Sequence, residues 1–338
     1  MKINLEKNVL LSKHNTLKVG GVADYFVTVE SKEELIEALQ FAKQTATPLF
    51  VFGGGSNILV NDAGYRGLVI KNKIAKRSYF VHGENVYVAC GSGEVFDEVV
   101  TDSVAKNYWG LENLSAIPGS VGATPIQNVG AYGVEVSSII TEVSAVHIDT
   151  LEIKNFSNAE CKFSYRDSFF KTEAGRKWII IEVVFKLSLL KNPQLSYGSL
   201  STLDKNSIST SSDVRNEIVK IRSTKFPNWR EVGTAGSFFK NPIIKNLDYE
   251  ALAAKYPDLP GYFVSDQTTK VSLGWILDKI CGLKGYSKNG VSLYKEQALV
   301  LVNESANSAN AIDDFANYVA EVVKEKTGII IEREVTSV

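Results

Sequence analysis

Two spacings of apolar residues, one near 3.6 and one near 2, alternate along the chain. Ser31 followed three residues later by Glu34 forms a capping box, and Leu35, Ile36, Leu39 and Ala42 then keep the helical period, which predicts a helix over 31–44. Pro48 opens the apolar run Leu49-Phe50-Val51-Phe52, which breaks off at Gly53-Gly54-Gly55-Ser56-Asn57 before a second run at 58–60. That is a strand feeding a glycine-rich turn. Strands are also predicted at 67–71, 78–82 and 85–90, the last two joined as a hairpin across Gly83-Glu84, and Val95 to Val104 form a helix. Residues 142–148 and 151–156 read as a second hairpin and 178–187 as a buried strand. A polar stretch at 188–213, rich in Ser, Asn and Asp, marks a boundary. Beyond it the pattern predicts helices at 213–223, 248–255 and 271–281, a strand at 297–302, and a helix at 308–327 that stops at Gly328. A strand from Ile329 to Val335 closes the series. Interleaved strands and helices with paired hairpins argue for an α+β architecture, not a doubly wound parallel sheet.

Composition narrows the class of partner. At roughly 100–200 residues per domain, 338 residues predict about two domains, or one core with an inserted lobe. With 37 Lys+Arg against 38 Asp+Glu, no bulk electrostatic term favours nucleic acid or an anionic membrane, and neither partner is expected. Cys90, Cys161 and Cys281 are far apart, which fits neither a disulfide framework nor a zinc site and points to a reducing compartment. The opening residues interrupt their one apolar cluster with charge, and no stretch approaches the ~18 apolar residues of a membrane span, so a cytoplasmic location is expected. His14, His82 and His147 lack helically spaced partners; no metal site and no His-based triad is expected.

Candidate chemistry lies in two loops. Successive N–H groups of Gly53, Gly54, Gly55, Ser56 and Asn57 can converge into an anion-binding nest, although a plain tight turn explains the residues equally well. The second loop holds Ile117-Pro118-Gly119-Ser120-Val121-Gly122-Ala123, Gln127-Asn128 and Gly130-Ala131-Tyr132-Gly133. Its small side chains and many main-chain donors suit close approach to a large flat cofactor, or else a structural Ω-loop.

These two loops, followed by Ser164-Tyr165-Arg166-Asp167-Ser168, by Gly236-Ser237-Phe238-Phe239-Lys240-Asn241-Pro242 and by Glu332-Arg333-Glu334-Val335, resemble in collinear order the motifs of the UDP-N-acetylenolpyruvoylglucosamine reductases. The resemblance implies an FAD-binding fold of the vanillyl-alcohol-oxidase/PCMH type built from two subdomains, with a C-terminal α+β substrate-binding domain. It further implies an enzyme in which NADPH reduces a non-covalently bound FAD, and hydride then passes to the enolpyruvyl group of a UDP-sugar at the same site. The expected division is 1–72 with 328–338, 73–223, and 224–327, and a monomer is expected. An oxidase of the same cofactor fold, or a binding module without turnover, are the alternatives.

By motif, Arg166 resembles the residue that grips the substrate carboxylate, a role that suits its planar guanidinium; a salt bridge to Asp167 or Glu160 is the alternative. Ser237 resembles the proton donor. Glu334 resembles the carboxylic residue that assists the enol intermediate, although the usual EPEV reads Glu332-Arg333-Glu334-Val335 here. The family positions further imply substrate contacts from Lys225, Asn241, Tyr262, Lys270, Lys284 and Gln297. Tyr197 resembles the mobile-loop tyrosine of the first of the family's two structural types, and the polar setting at 188–213 fits a lid over substrate.

Overall fold

A computed structural model describes residues 3–338. The described chain divides into two compact units. The first takes in the chain up to Val9, Ala23–Gly55 and Arg66–Arg222; the second takes in Leu10–Val22, Ser56–Tyr65 and Ser223–Val338. This grouping differs from the expected three parts: most of 1–72 shares one unit with 73–222, and residues 10–22, 56–65 and 328–338 group with the C-terminal half.

One sheet has the order Glu6–Leu10, Val22–Val29, Tyr65–Asn72, Leu49–Phe52, with the last two strands parallel. The helix Lys32–Gln44 packs on it, burying Leu35, Ala38, Leu39 and Ala42 against Val27, Val29, Leu68 and Ile70. Ser31 caps that helix as the spacing predicts, its Oγ accepting the Glu34 N–H, while the Glu34 carboxylate accepts the Glu30 N–H one residue before the usual target.

The second sheet of the first unit is antiparallel throughout, in the order Ile153–Ser157, Ile140–His147, Trp178–Ser188, Asn85–Gly91, Arg77–His82. Both predicted hairpins lie in it. Its inner face closes over the helix Phe96–Ala105 through Phe96, Val99, Val100 and Val104.

Within the polar stretch, Leu200 and Ile208 are buried with Trp109, Val214 and Ile218. The segment is therefore nailed down in its middle, not a solvated loop from end to end. The helix that follows, Ser211–Lys225, runs through the division between units at 222/223.

The second unit is built on the sheet Gly233–Ser237, Val300–Asn303, Val291–Leu293, Ser287–Lys288 and the sheet Ile243–Lys245, Thr268–Val271, Gly261–Ser265. The helix Ala309–Thr327 supplies Ile312, Phe315, Ala316, Val319 and Val323 to its core and ends at Gly328, whose φ of +74° no side chain hinders.

Two expectations need correction here. The predicted helix over 271–281 is a short α-turn, Leu273–Trp275, that widens into a π-turn, Ile276–Ile280, where the Cys281 N–H reaches back to the Ile276 carbonyl. The predicted last strand at 329–335 is extended chain with a single bridge, Phe239 to Arg333; the regular strand is Thr336–Ser337, parallel to Ile58–Leu59. Ile329, Ile331 and Val335 are buried and Ile330 is exposed, so the alternation records burial of side chains, not a full ladder.

Candidate active site

In the first unit the two glycine-rich turns meet. A Cβ on Gly53 would lie 1.9 Å from the Ser120 Oγ, so a side chain there forces a shift, and one on Gly54 would lie 3.1 Å from the Gly119 Cα, a tight contact that the neighbouring turn must ease by a few tenths of an ångström. Gly55 and Gly119 take φ values of +66° and +126°. The N–H groups of Val121, Gly122 and Ala123 are spent on the carbonyls of Glu94, Ser92 and Ser120. That narrows the expected run of donors in 117–123 to Ile117, Gly119 and Ser120, since Pro118 carries no N–H.

The loop continues into a tight hairpin, Gly130–Ala131 against Val134–Glu135, with Tyr132 and Gly133 at its tip, both left-handed. The φ of +50° at Tyr132 is strained for a bulky side chain, a cost of order 1–3 kcal/mol that the surroundings hold in place. Those surroundings include Arg222, which bonds the Tyr132 side chain and donates from Nε to the Ala116 carbonyl at 3.2 Å. Burial lowers the Arg222 pKa and raises that of the Tyr132 hydroxyl, each opposed by the other.

Asn128 is buried and fully engaged by protein: its amide donates to Glu135 and to the Ser164 carbonyl, and its oxygen accepts the Ser137 N–H. These bonds organise the loop. Gln127 differs, because its Oε1 is buried with no hydrogen-bond partner among the described residues. An acceptor left this way calls for a donor. Two turns in close glycine contact and an orphaned acceptor on the same loop fit the phosphates and polar edge of a large dinucleotide such as FAD.

Arg166 joins this group. Mutual backbone bonds between Ser164 and Asp167 make a turn that holds Arg166 at φ +54°, and its Nη2 donates to the Gly130 carbonyl at 3.0 Å. Glu160, one of its alternative partners, pairs instead with Lys154. Tyr197 is also here: its ring stands edge-on to Tyr132, and its Cβ lies 3.1 Å from where a Cβ on Gly133 would be. Asn113, fully buried, donates to both the Tyr132 and the Gln194 carbonyls and so ties the two segments together.

In the second unit three of the motifs converge. Gly236 at φ +72° and a register shift between Thr234 and Ser237 set the strand end that carries Ser237. The Glu334 N–H donates to the Phe238 carbonyl at 2.8 Å, and the Asn57 amide donates to the Glu334 carbonyl at 3.1 Å. Ser237 and Glu334 thus sit on paired segments, and Ser56-Asn57 belongs with them. Tyr262 and Lys270 face one another across antiparallel strands, the ammonium 6.0 Å from the ring centroid. Asn241 accepts the Leu273 N–H. Lys284 pairs with Asp278, Gln297 lies against Gly274, and Lys225 is exposed at its helix end.

Sequence reasoning passed over Arg222 and Asn113. Arg222 stands in Ile221-Arg222-Ser223-Thr224-Lys225, which reads as a solvated helix end; the one available signal was its helical register with the apolar Val214 and Ile218. Among the described residues no group of three or more His, Cys, Asp and Glu is placed to hold a metal ion, and no helix is long and apolar enough to cross a membrane.

Comparison with known proteins agrees with this layout. An FAD binding domain model matches residues 23–151, and the model for the C-terminal domain of UDP-N-acetylenolpyruvoylglucosamine reductase matches 228–338. The chain is similar to the reductase of that name from Flavobacterium johnsoniae, 38% identical over 98% of this chain and 99% of the relative, and to that of Escherichia coli K12, 36% identical over 97% and 95%. A crystal structure of the Thermus caldophilus enzyme shares the fold, with a TM-score of 0.69 at 24% identity across 100% of this chain and 99% of the other. With relatives matched along nearly the whole of both lengths, and with the FAD-binding and reductase C-terminal models matching in order, the chain belongs to the UDP-N-acetylenolpyruvoylglucosamine reductase (MurB) family of FAD-containing oxidoreductases.

Proposed function

We propose that this chain reduces the enolpyruvyl group of UDP-N-acetyl-3-O-(1-carboxyvinyl)-glucosamine to the lactyl ether of UDP-N-acetylmuramate, a step of peptidoglycan precursor synthesis, using NADPH. Bound FAD supplies the hydride carrier between the two substrates. The glycine contact of residues 53–54 with 119–120, together with the acceptor of Gln127, would hold it. Arg166 binds the substrate carboxylate, where a fixed cation meets charge that grows as hydride adds to the neighbouring methylene carbon. Ser237 delivers the proton to the carbon beside the carboxylate, and Glu334 assists that transfer. Tyr262, Lys270, Lys225, Asn241, Lys284, Gln297 and Tyr197 are the candidates for the diphosphate, uracil and sugar. The enzyme acts as a monomer in the cytoplasm; three cysteines that all remain free thiols support the compartment.

The pairing of the 236–239 segment with 332–335 supports this reading most, because it puts the residues that bear the hydroxyl and the carboxylate on neighbouring backbone segments. Stopped-flow spectra of the protein, reduced anaerobically by one equivalent of NADPH and mixed with the enolpyruvyl UDP-sugar, test it. Rapid return of the oxidised flavin bands with formation of UDP-N-acetylmuramate is expected. Return only on admitting oxygen would leave the fold right and the substrate wrong. Ser237→Ala should leave reduction by NADPH nearly unchanged and slow reoxidation by about 10²-fold or more; equal loss in both half-reactions would remove Ser237 from the proton-donor role.

A further inference from the structure

The segment 332–335 has little backbone pairing of its own, between the helix that ends at Thr327 and the short strand Thr336–Ser337. It has the single bridge from Phe239 to Arg333, with flanking bonds from the Lys240 N–H to the Glu332 carbonyl and from the Glu334 N–H to the Phe238 carbonyl. Side-chain bonds add to this: the Asn57 amide donates to the Glu334 carbonyl, Lys240 pairs with Glu332, and Arg333 ties the segment to the helix behind it. The Arg333 guanidinium pairs with the Asp313 carboxylate, donates to the Asn317 Oδ1 at 2.9 Å, and stands 5.7 Å from the centroid of the Phe238 ring. Asp313 and Asn317 are one turn apart on the helix Ala309–Thr327, whose first N–H groups donate to the capping carboxylate of Asp62.

We propose that Arg333 is a positioning residue for Glu334: it locks the segment between the Ser237-Phe238 strand end and a capped helix, and so fixes where the Glu334 carboxylate stands. An exposed ion pair alone would be worth little. Here one planar group contacts a carboxylate, an amide and an aromatic face, with 27% of its side-chain surface exposed. An arginine satisfies all three at once; the compact ammonium of lysine reaches the carboxylate alone.

This proposal rests on the role given to Glu334, and the test separates the two. Arg333→Gln, Arg333→Lys, Asp313→Asn and Glu334→Gln are compared for FAD content, thermal midpoint, reduction by NADPH, and the KM and rate for the enolpyruvyl substrate. Arg333→Gln and Asp313→Asn should keep FAD and be reduced at the wild-type rate, while reoxidation slows by roughly tenfold with KM changed by less than about twofold. Arg333→Lys should recover part of that rate. Wild-type reoxidation by Arg333→Gln, or parallel loss of both half-reactions with the folded fraction, would overturn the proposal. Should Arg333→Gln fail to fold, Asn317→Ala removes one hydrogen bond only, and reoxidation at the wild-type rate in that variant would overturn it equally. Wild-type reoxidation by Glu334→Gln would instead refute the role of Glu334 itself.

Discussion

A single methyl group at Gly53 would overlap the Ser120 hydroxyl, and the backbone on either side is fixed by a strand and by a second glycine turn. Gly53→Ala should cost about 1–3 kcal/mol and lower the FAD content of the purified protein, and Ser120→Gly in the same chain should restore much of both. Failure of the double variant to recover would mean that the two turns do not depend on this contact. Glu112 gives a prediction of a different kind. Burial raises its carboxyl pKa, so the folded chain holds that proton more tightly than the unfolded chain. Its contribution is complete below the unfolded carboxylate range and is lost as pH rises through the folded value. Glu112→Gln should therefore gain thermal stability relative to wild type as pH rises from about 4 to about 7, with no gain at the acid end. Parallel curves would place the charge in solvent. At this scale the contact-making glycine turns were legible because they stand in local motifs, and Arg166, Ser237 and Glu334 are candidates on the same ground. Arg222 and Asn113 were not, since what matters about them is burial against residues far away in the chain.

Helices proved more readable than the strands near the end of the chain. The cap at Ser31 and the stop at Gly328 each follow from one or two residues, and both are seen. The stretch 329–335 has the alternation of a strand, yet pairing needs a neighbouring backbone in register, which no pattern within the segment reports. The helix Ala309–Thr327 shows the same limit at its other end. Ser308 caps it locally, but the Ala309 and Asn310 N–H groups are satisfied by Asp62, 247 and 248 residues away. A carboxylate there also complements the helix dipole. Asp62→Ala should cost about 1–2 kcal/mol in a denaturant titration, and Asp62→Asn less. An unchanged midpoint in both would make the contact incidental. If Arg333 positions Glu334 through this helix, loss of the cap should also slow flavin reoxidation more than flavin reduction.

The second unit is made from three separate lengths of chain. Leu17, Val19 and Leu59 lie in one core with Phe238, Phe239, Ile312 and Phe315, and the Asn303 amide donates to the Leu17 carbonyl. A fragment of residues 223–338 therefore lacks part of its own interior. Expressed alone, it should give a circular dichroism melt without a cooperative transition and poorly dispersed amide resonances; a sharp melt would show that residues 10–22 and 56–65 are dispensable. The same arrangement bears on how the protein is made. Residues 10–22 and 56–65 leave the ribosome early, and the residues they pack against come last. At roughly 5–20 residues per second the delay is on the order of tens of seconds. For that time Leu17, Val19 and Leu59 have no core to enter, so chaperone supply during synthesis, more than the stability of the finished fold, should set the yield of active enzyme.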